Sequence, residues 1–170
     1  MKTSNTKASN RLIGYAGVYS VANDAQWDFE VIKDAHRQNW IGTYDAALFT
    51  KDRDGKISVL DTDATQRATG ARAGAVVGVV IGMIFPPSVL MASDVGAAAG
   101  SALGNMLKGF GEGDIEELAR KLAPGESGIL LIADAAFDAG AQKPMKRADT
   151  FARQVVATDT AEMKVALAVR

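Results

Sequence analysis

The sequence has no cysteine and one histidine, His36, among its 170 residues. Disulfides, thiolate metal sites, cysteine nucleophiles and multi-histidine metal centres are therefore excluded, and the composition fits a reducing compartment. Charge of either sign is also missing as an excess: Lys and Arg total 19 against 20 Asp and Glu. A chain so balanced has no electrostatic footprint for nucleic acid, which is not expected as a partner. Residues 1–10 are polar, with Lys2 and Lys7 and no apolar run of signal-peptide length, so they are expected to be a disordered tail of a cytoplasmic protein. At this length a single core suffices without disulfide or metal staples.

What the chain has in plenty is glycine, and its placement dominates the middle of the sequence. Gly70, Gly74, Gly78 and Gly82 fall four apart; after Phe85-Pro86-Pro87, Gly96, Gly100 and Gly104 repeat the spacing. At 3.6 residues per turn this places the glycines of each run on one stripe of a helix, where a second backbone can come close. Glycine costs roughly 1 kcal/mol per helix-interior position relative to alanine, so seven of them call for compensating close packing. Residues 64–113 thus read as a glycine-zipper helical hairpin, with these seven glycines as its association contacts.

The flanks carry a different period. Residues 11–20 place Tyr15 and Tyr19 on one parity and Gly14 and Ala16 on the other, as a strand covered closely on one face would. Asn23 with Gln26 suggests a capping box for a helix in which Phe29, Ile32 and Ala35 share a face, running to about Asn39. Residues 44–50 and 57–61 read as strands joined by the turn Asp52-Arg53-Asp54-Gly55. Beyond the zipper, Asp114 and Glu117 mark a short helix to Leu122, stopped by Pro124-Gly125, and the run GILLIA over 128–133 reads as a central buried strand. Pro144 suits the start of a helix to about Thr150; residues 152–157 read as a last strand, and Asp159 with Glu162 as the cap of a terminal helix.

The resulting order predicts an α+β ferredoxin-like sandwich, formed by residues 11–63 and 114–170, with the glycine-zipper hairpin inserted. Because the flanks supply five strands, that domain is expected to fold without the insertion. Fold alone assigns no activity.

Candidate chemical sites are weak. Asp52, Asp54 and Gly55 lack the spacing and closing glutamate of a calcium loop. The glycines at 109, 111 and 113 precede a helix but bring no P-loop lysine, and Asp114, Glu116 and Glu117 would repel a phosphate. His36 near Asp34 has no nucleophile or metal-ligand company at an informative spacing. Trp27, Trp40, Tyr15 and Tyr19 read as core or interface aromatics, with a cleft of Tyr15, Tyr19 and Trp40 under the zipper as the competing reading. No catalytic residue, metal or cofactor is assigned, and the chain is expected not to be an enzyme.

The zipper's remaining face, including Val76, Val79, Val80 and Met83, is apolar and must be covered. Residues 71–85 would span about 22 Å as a helix, short of the ~30 Å hydrocarbon core, so a two-span membrane protein is disfavoured. Two coverings remain: other copies of the chain in a homo-oligomer, or the lipid of a membrane entered from its inner face. The leading expectation is a self-associating protein, with a peripheral or re-entrant membrane protein and a ferredoxin-like small-ligand binder or enzyme as alternatives.

The strings DAALFTKDRDGKISV from residue 45, GARAGAVVGVVIGMIF from residue 70 and GAAAGSALGNMLKGFGEGDIEELARKLAPGESGILLI from residue 96 resemble a widespread bacterial family of unknown function. Its members are described as predicted membrane proteins with paired glycine-zipper segments and are linked to stress response. The resemblance runs from about residue 12 to the C-terminus and implies membrane association and a stress-related role. It carries no catalytic residues to transfer.

Overall fold

A computed structural model describes residues 11–38, 44–64, 81, 85, 88–90, 113–134 and 145–159. They form β1 (Arg11–Tyr19), α1 (Ala22–Arg37), β2 (Tyr44–Lys51), β3 (Ile57–Ala64), α2 (Asp114–Arg120), β4 (Ser127–Asp134) and β5 (Thr150–Asp159). The five strands make one antiparallel sheet in the order β3-β2-β4-β1-β5, so the architecture is α+β. Residues 1–10, the seven zipper glycines and residues 160–170 lie outside the described set, as do the tail and terminal helix expected there.

Strand alternation sorts the core into two faces. Ile13, Tyr15 and Tyr19 of β1, Tyr44, Ala46 and Leu48 of β2, and Ile129, Leu131 and Ala133 of β4 point to the α1 side. There they meet Ala25, Phe29, Ile32 and Ala35, the apolar stripe of α1. The alternate residues Ala16, Ala47, Phe49, Ile57, Leu130 and Ile132 build the second face with Ile115, Leu118, Ala119 and Leu122. Burial on both sides explains why GILLIA is apolar without a break, and β4 does lie mid-sheet between β1 and β2.

Two residues of the zipper segment belong to this second face. Ile81 is fully buried and Phe85 is 6 % exposed, the latter edge-on to Phe49 with ring centroids 6.0 Å apart. The chain just beyond the proline pair also docks: Ile57 N–H donates to the Val89 carbonyl at 2.6 Å, and Ile57 bridges Leu90 in parallel at the outer edge of β3.

Three local expectations need correction. Helix α1 starts before Asn23: its N-cap is Val21, and no side chain caps it. The connection from β1 is short, Ser20 N–H being held by Asp149 at 2.6 Å, so the helix begins as soon as the chain has turned. Helix α2 begins at Asp114 as expected, but its N-cap is Gly113 and no side chain caps it; its acidic first turn supplies favourable charge at the dipole's positive end instead. The helix expected up to Thr150 is a turn over 145–147 that leads straight into β5. Its amide hydrogens go elsewhere: Arg147 N–H to the Asp28 carboxylate at 2.9 Å and Asp149 N–H to the Val18 carbonyl at 2.8 Å.

Two of the glycines illustrate why the backbone requires them. Gly55 has φ +80° in the β2–β3 turn, the left-handed region that L side chains rarely adopt. Gly128 sits opposite Phe49, and a methyl group there would come within 2.4 Å of the buried ring's Cζ. Gly128→Ala is therefore expected to lower stability by about 1–3 kcal/mol, the usual scale for overpacking, measured by denaturant unfolding. An unchanged midpoint would show that the Phe49 ring can move aside at no cost.

Candidate functional site

Two polar constellations sit at opposite ends of the α1 face. The first gathers at the C-terminal end of β1. Asp28 falls on the same stripe of α1 as Ala25, Phe29 and Ile32 and is only 3 % exposed. Its Oδ2 accepts from the Tyr19 hydroxyl at 3.1 Å and from Arg147 N–H at 2.9 Å. Burial pushes the Asp28 carboxyl above its ordinary range, while the Arg147 amide and the Tyr19 hydroxyl pull it back. Burial also pushes the Tyr19 hydroxyl far up, with the Asp28 charge adding to it. The Arg147 guanidinium leaves this interior, stacking 4.7 Å over the ring of Trp27, with its Nε 3.8 Å from Asp24. Trp27 is 60 % exposed, so it is no core aromatic.

The second constellation joins the end of α1 to β2 and edge strand β3. The Tyr44 hydroxyl donates to Asp63 and lies 3.3 Å from His36 Nδ1, which is 3.8 Å from the same Asp63 oxygen. The His36 and Tyr44 rings meet edge to face at 5.2 Å. Lys33, one turn earlier on α1, bonds Asp61 of β3 and also Glu30 at 2.9 Å. Burial pushes the Tyr44 hydroxyl far up, reinforced by its bond to Asp63. Burial pulls the Lys33 ammonium down, but Asp61 and Glu30 more than offset it and leave it above its ordinary value. The sequence neighbour Asp34 is engaged instead with Arg37 at 2.7 Å.

Chemically, both constellations hold the fold together. The Tyr19 hydroxyl and Asp28 carboxylate face each other inside the core and cannot reach a substrate. The His36, Tyr44 and Asp63 groups fasten α1 to β3. Asp52 Oδ1 accepts from Asp54 N–H at 2.9 Å and Lys56 N–H at 2.8 Å, so this carboxylate builds the turn. Among the described residues, no cluster of three or more His, Asp or Glu could hold a metal ion.

The aromatic cleft does not form as expected. Tyr15 and Tyr19 are buried against α1, whereas Ile81 and Phe85 of the zipper segment are on the opposite face; Trp40 lies outside the described residues. The space under Ile81 and Phe85 is a cavity of about 10 Å³ with apolar walls that include Phe49, Ile115 and Leu130. That is about one water molecule, far below the ~300 Å³ or more of small-molecule sites.

Sequence reasoning missed Asp28, although a carboxylate on an otherwise apolar helical stripe was visible as a signal. It also missed Tyr44 and Asp63 as partners of His36, for which no signal exists before the strands are paired. Among the described residues no helix is long and apolar enough to cross a membrane.

Comparison with known proteins adds one finding. The family model of DUF1269, proteins of unknown function, matches residues 71–168, more than half of the chain. No curated protein and no solved structure matches it. The chain belongs to the DUF1269 family.

Proposed function

We propose that this member of the DUF1269 family is a non-enzymatic protein that associates with copies of itself through residues 64–113, using the close approach allowed by Gly70, Gly74, Gly78, Gly82, Gly96, Gly100 and Gly104. One observation carries the reading. Ile81 and Phe85 of this stretch are buried against the sheet, and the apolar residues next to them in the sequence, Val76, Val79, Val80 and Met83, call for a covering surface that a second copy would supply. The filled interior beneath it favours packing over ligand binding. The order β5-β1-β4-β2, with β3 added outside β2, favours a ferredoxin-like strand arrangement in the platform, with α1 and α2 on opposite faces of the sheet.

Light scattering of the purified full-length chain across a dilution series, with and without detergent, tests this. The expected result is a homogeneous, lipid-free particle larger than one chain, with Gly100→Leu lowering its mass. A single chain at every concentration overturns it. Particles that collapse in detergent, together with sedimentation of the protein on lipid vesicles, also overturn it, in favour of a membrane-associated protein.

A further inference from the structure

We infer that residues 88–90 guard the outer edge of β3 against strand addition by a second copy of this chain. An edge strand offers unpaired N–H and C=O groups at every second residue, a template on which another strand can build. Which residues of β3 face outward follows from one bond. Asp52 N–H donates to the Lys56 carbonyl at 2.8 Å, so Lys56 turns its backbone to β2 and Ile57, one residue on, turns away. The outward Ile57 N–H donates to the Val89 carbonyl at 2.6 Å, and Ile57 bridges Leu90 in parallel. Lys56 Nζ holds the Ser88 carbonyl, and Val89 and Leu90 pack against the second face, so backbone and side chains seat the strap together.

The rest of this edge carries other protection. Leu60 is the extra residue of a bulge, where the register passes from Phe49↔Val59 to Leu48↔Asp61, and it breaks the even spacing that an added strand needs. Beyond it, a second copy paired antiparallel about a two-fold axis would bring Asp61 and Asp63 against its own acidic pair. Residues 57–59, Ile-Ser-Val, have neither bulge nor charge, and the β-branched pair favours strand addition. The strap lies against that stretch. The two residues before it, Pro86 and Pro87, have no amide hydrogen to offer an incoming strand.

The strap falls within residues 64–113, yet its role as a guard does not rest on the self-association proposed above, which runs through the glycines. Gly100→Leu is expected to leave the Ile57 amide as slow to exchange as in the wild type, so the two readings can fail separately.

The test is Val89→Gly combined with Leu90→Gly in the full-length chain, read by hydrogen exchange at the Ile57 amide and by light scattering across dilution. Ile57 is expected to exchange about tenfold faster or more, and the particle mass to rise above that of the wild type and to grow with concentration. Adding Leu60→Lys, a charge at the exposed bulge, is expected to return the mass to the wild-type value while Ile57 stays fast. Unchanged exchange at Ile57 overturns the inference, as does a mass at or below that of the wild type. A raised mass that Leu60→Lys does not lower assigns the new contact to the bared second face and overturns it too. Should the double variant lose its cooperative thermal transition, Leu90→Ala, which leaves Val89 in place, is read by the same two measurements with the same outcomes.

Discussion

A chain lacking residues 72–109, its ends joined by a Gly/Ser linker, is expected to aggregate and to show no cooperative thermal transition. The flanking strands and helices are all kept, and loop length is not the obstacle, since each doubling costs only ~0.6 kcal/mol. The loss is in the core. Ile81 is fully buried and Phe85 nearly so, and Val89 and Leu90 pack beside them. Truncating a buried isoleucine costs about 2–5 kcal/mol and a buried phenylalanine about 3–5. Together that rivals the whole stability of a typical domain, about 5–15 kcal/mol. The deletion would also bare Phe49, Leu130 and Ile132 on one side of the sheet, an apolar patch of the kind that drives aggregation. Calorimetry and light scattering check this. A monomer with a single sharp transition would show that the flanking parts close over that face by themselves.

The second large effect is expected at Asp28. Asp28→Ala strands two buried donors, the Tyr19 hydroxyl and Arg147 N–H, and loosens the turn that leads into β5. At about 1–3 kcal/mol for each unsatisfied group, less the relief from removing a buried carboxylate, the expected loss is about 2–4 kcal/mol. Asp28→Asn keeps an acceptor in place and is expected to lose less.

The same pair fixes the sign of a pH effect. Burial raises the Asp28 carboxyl in the folded chain above its unfolded value, so folding favours its protonated form. Its contribution is fully present below the unfolded value, about 3.9, and fades as pH rises through the folded one. Denaturant unfolding across mildly acidic pH should therefore show the wild type gaining on Asp28→Asn as pH falls. A constant difference between the two would mean that Asp28 titrates alike folded and unfolded, and that the Tyr19 and Arg147 bonds cancel its burial.

The sequence alone determined the α+β class, the number of strands in the sheet, the β2–β3 hairpin and the central place of β4, because each is a matter of local period. Alternation in residues 11–19, the 3.6 period of Phe29, Ile32 and Ala35, and the unbroken apolar run 128–133 each state which sides of an element are buried. The start of α1 was misread at Asn23, since a capping pattern records an available hydrogen bond while the end of β1 decides where the helix begins; α2 does begin at Asp114, without the side-chain cap expected there. Only the tertiary structure decided what pairs across the chain. His36 meets Tyr44 and Asp63, Asp28 holds the turn at Arg147, and Ile81 and Phe85 enter the core. Each contact joins elements whose relative position follows from sheet order, and a four-residue glycine repeat marks a side for close approach without naming the surface that approaches.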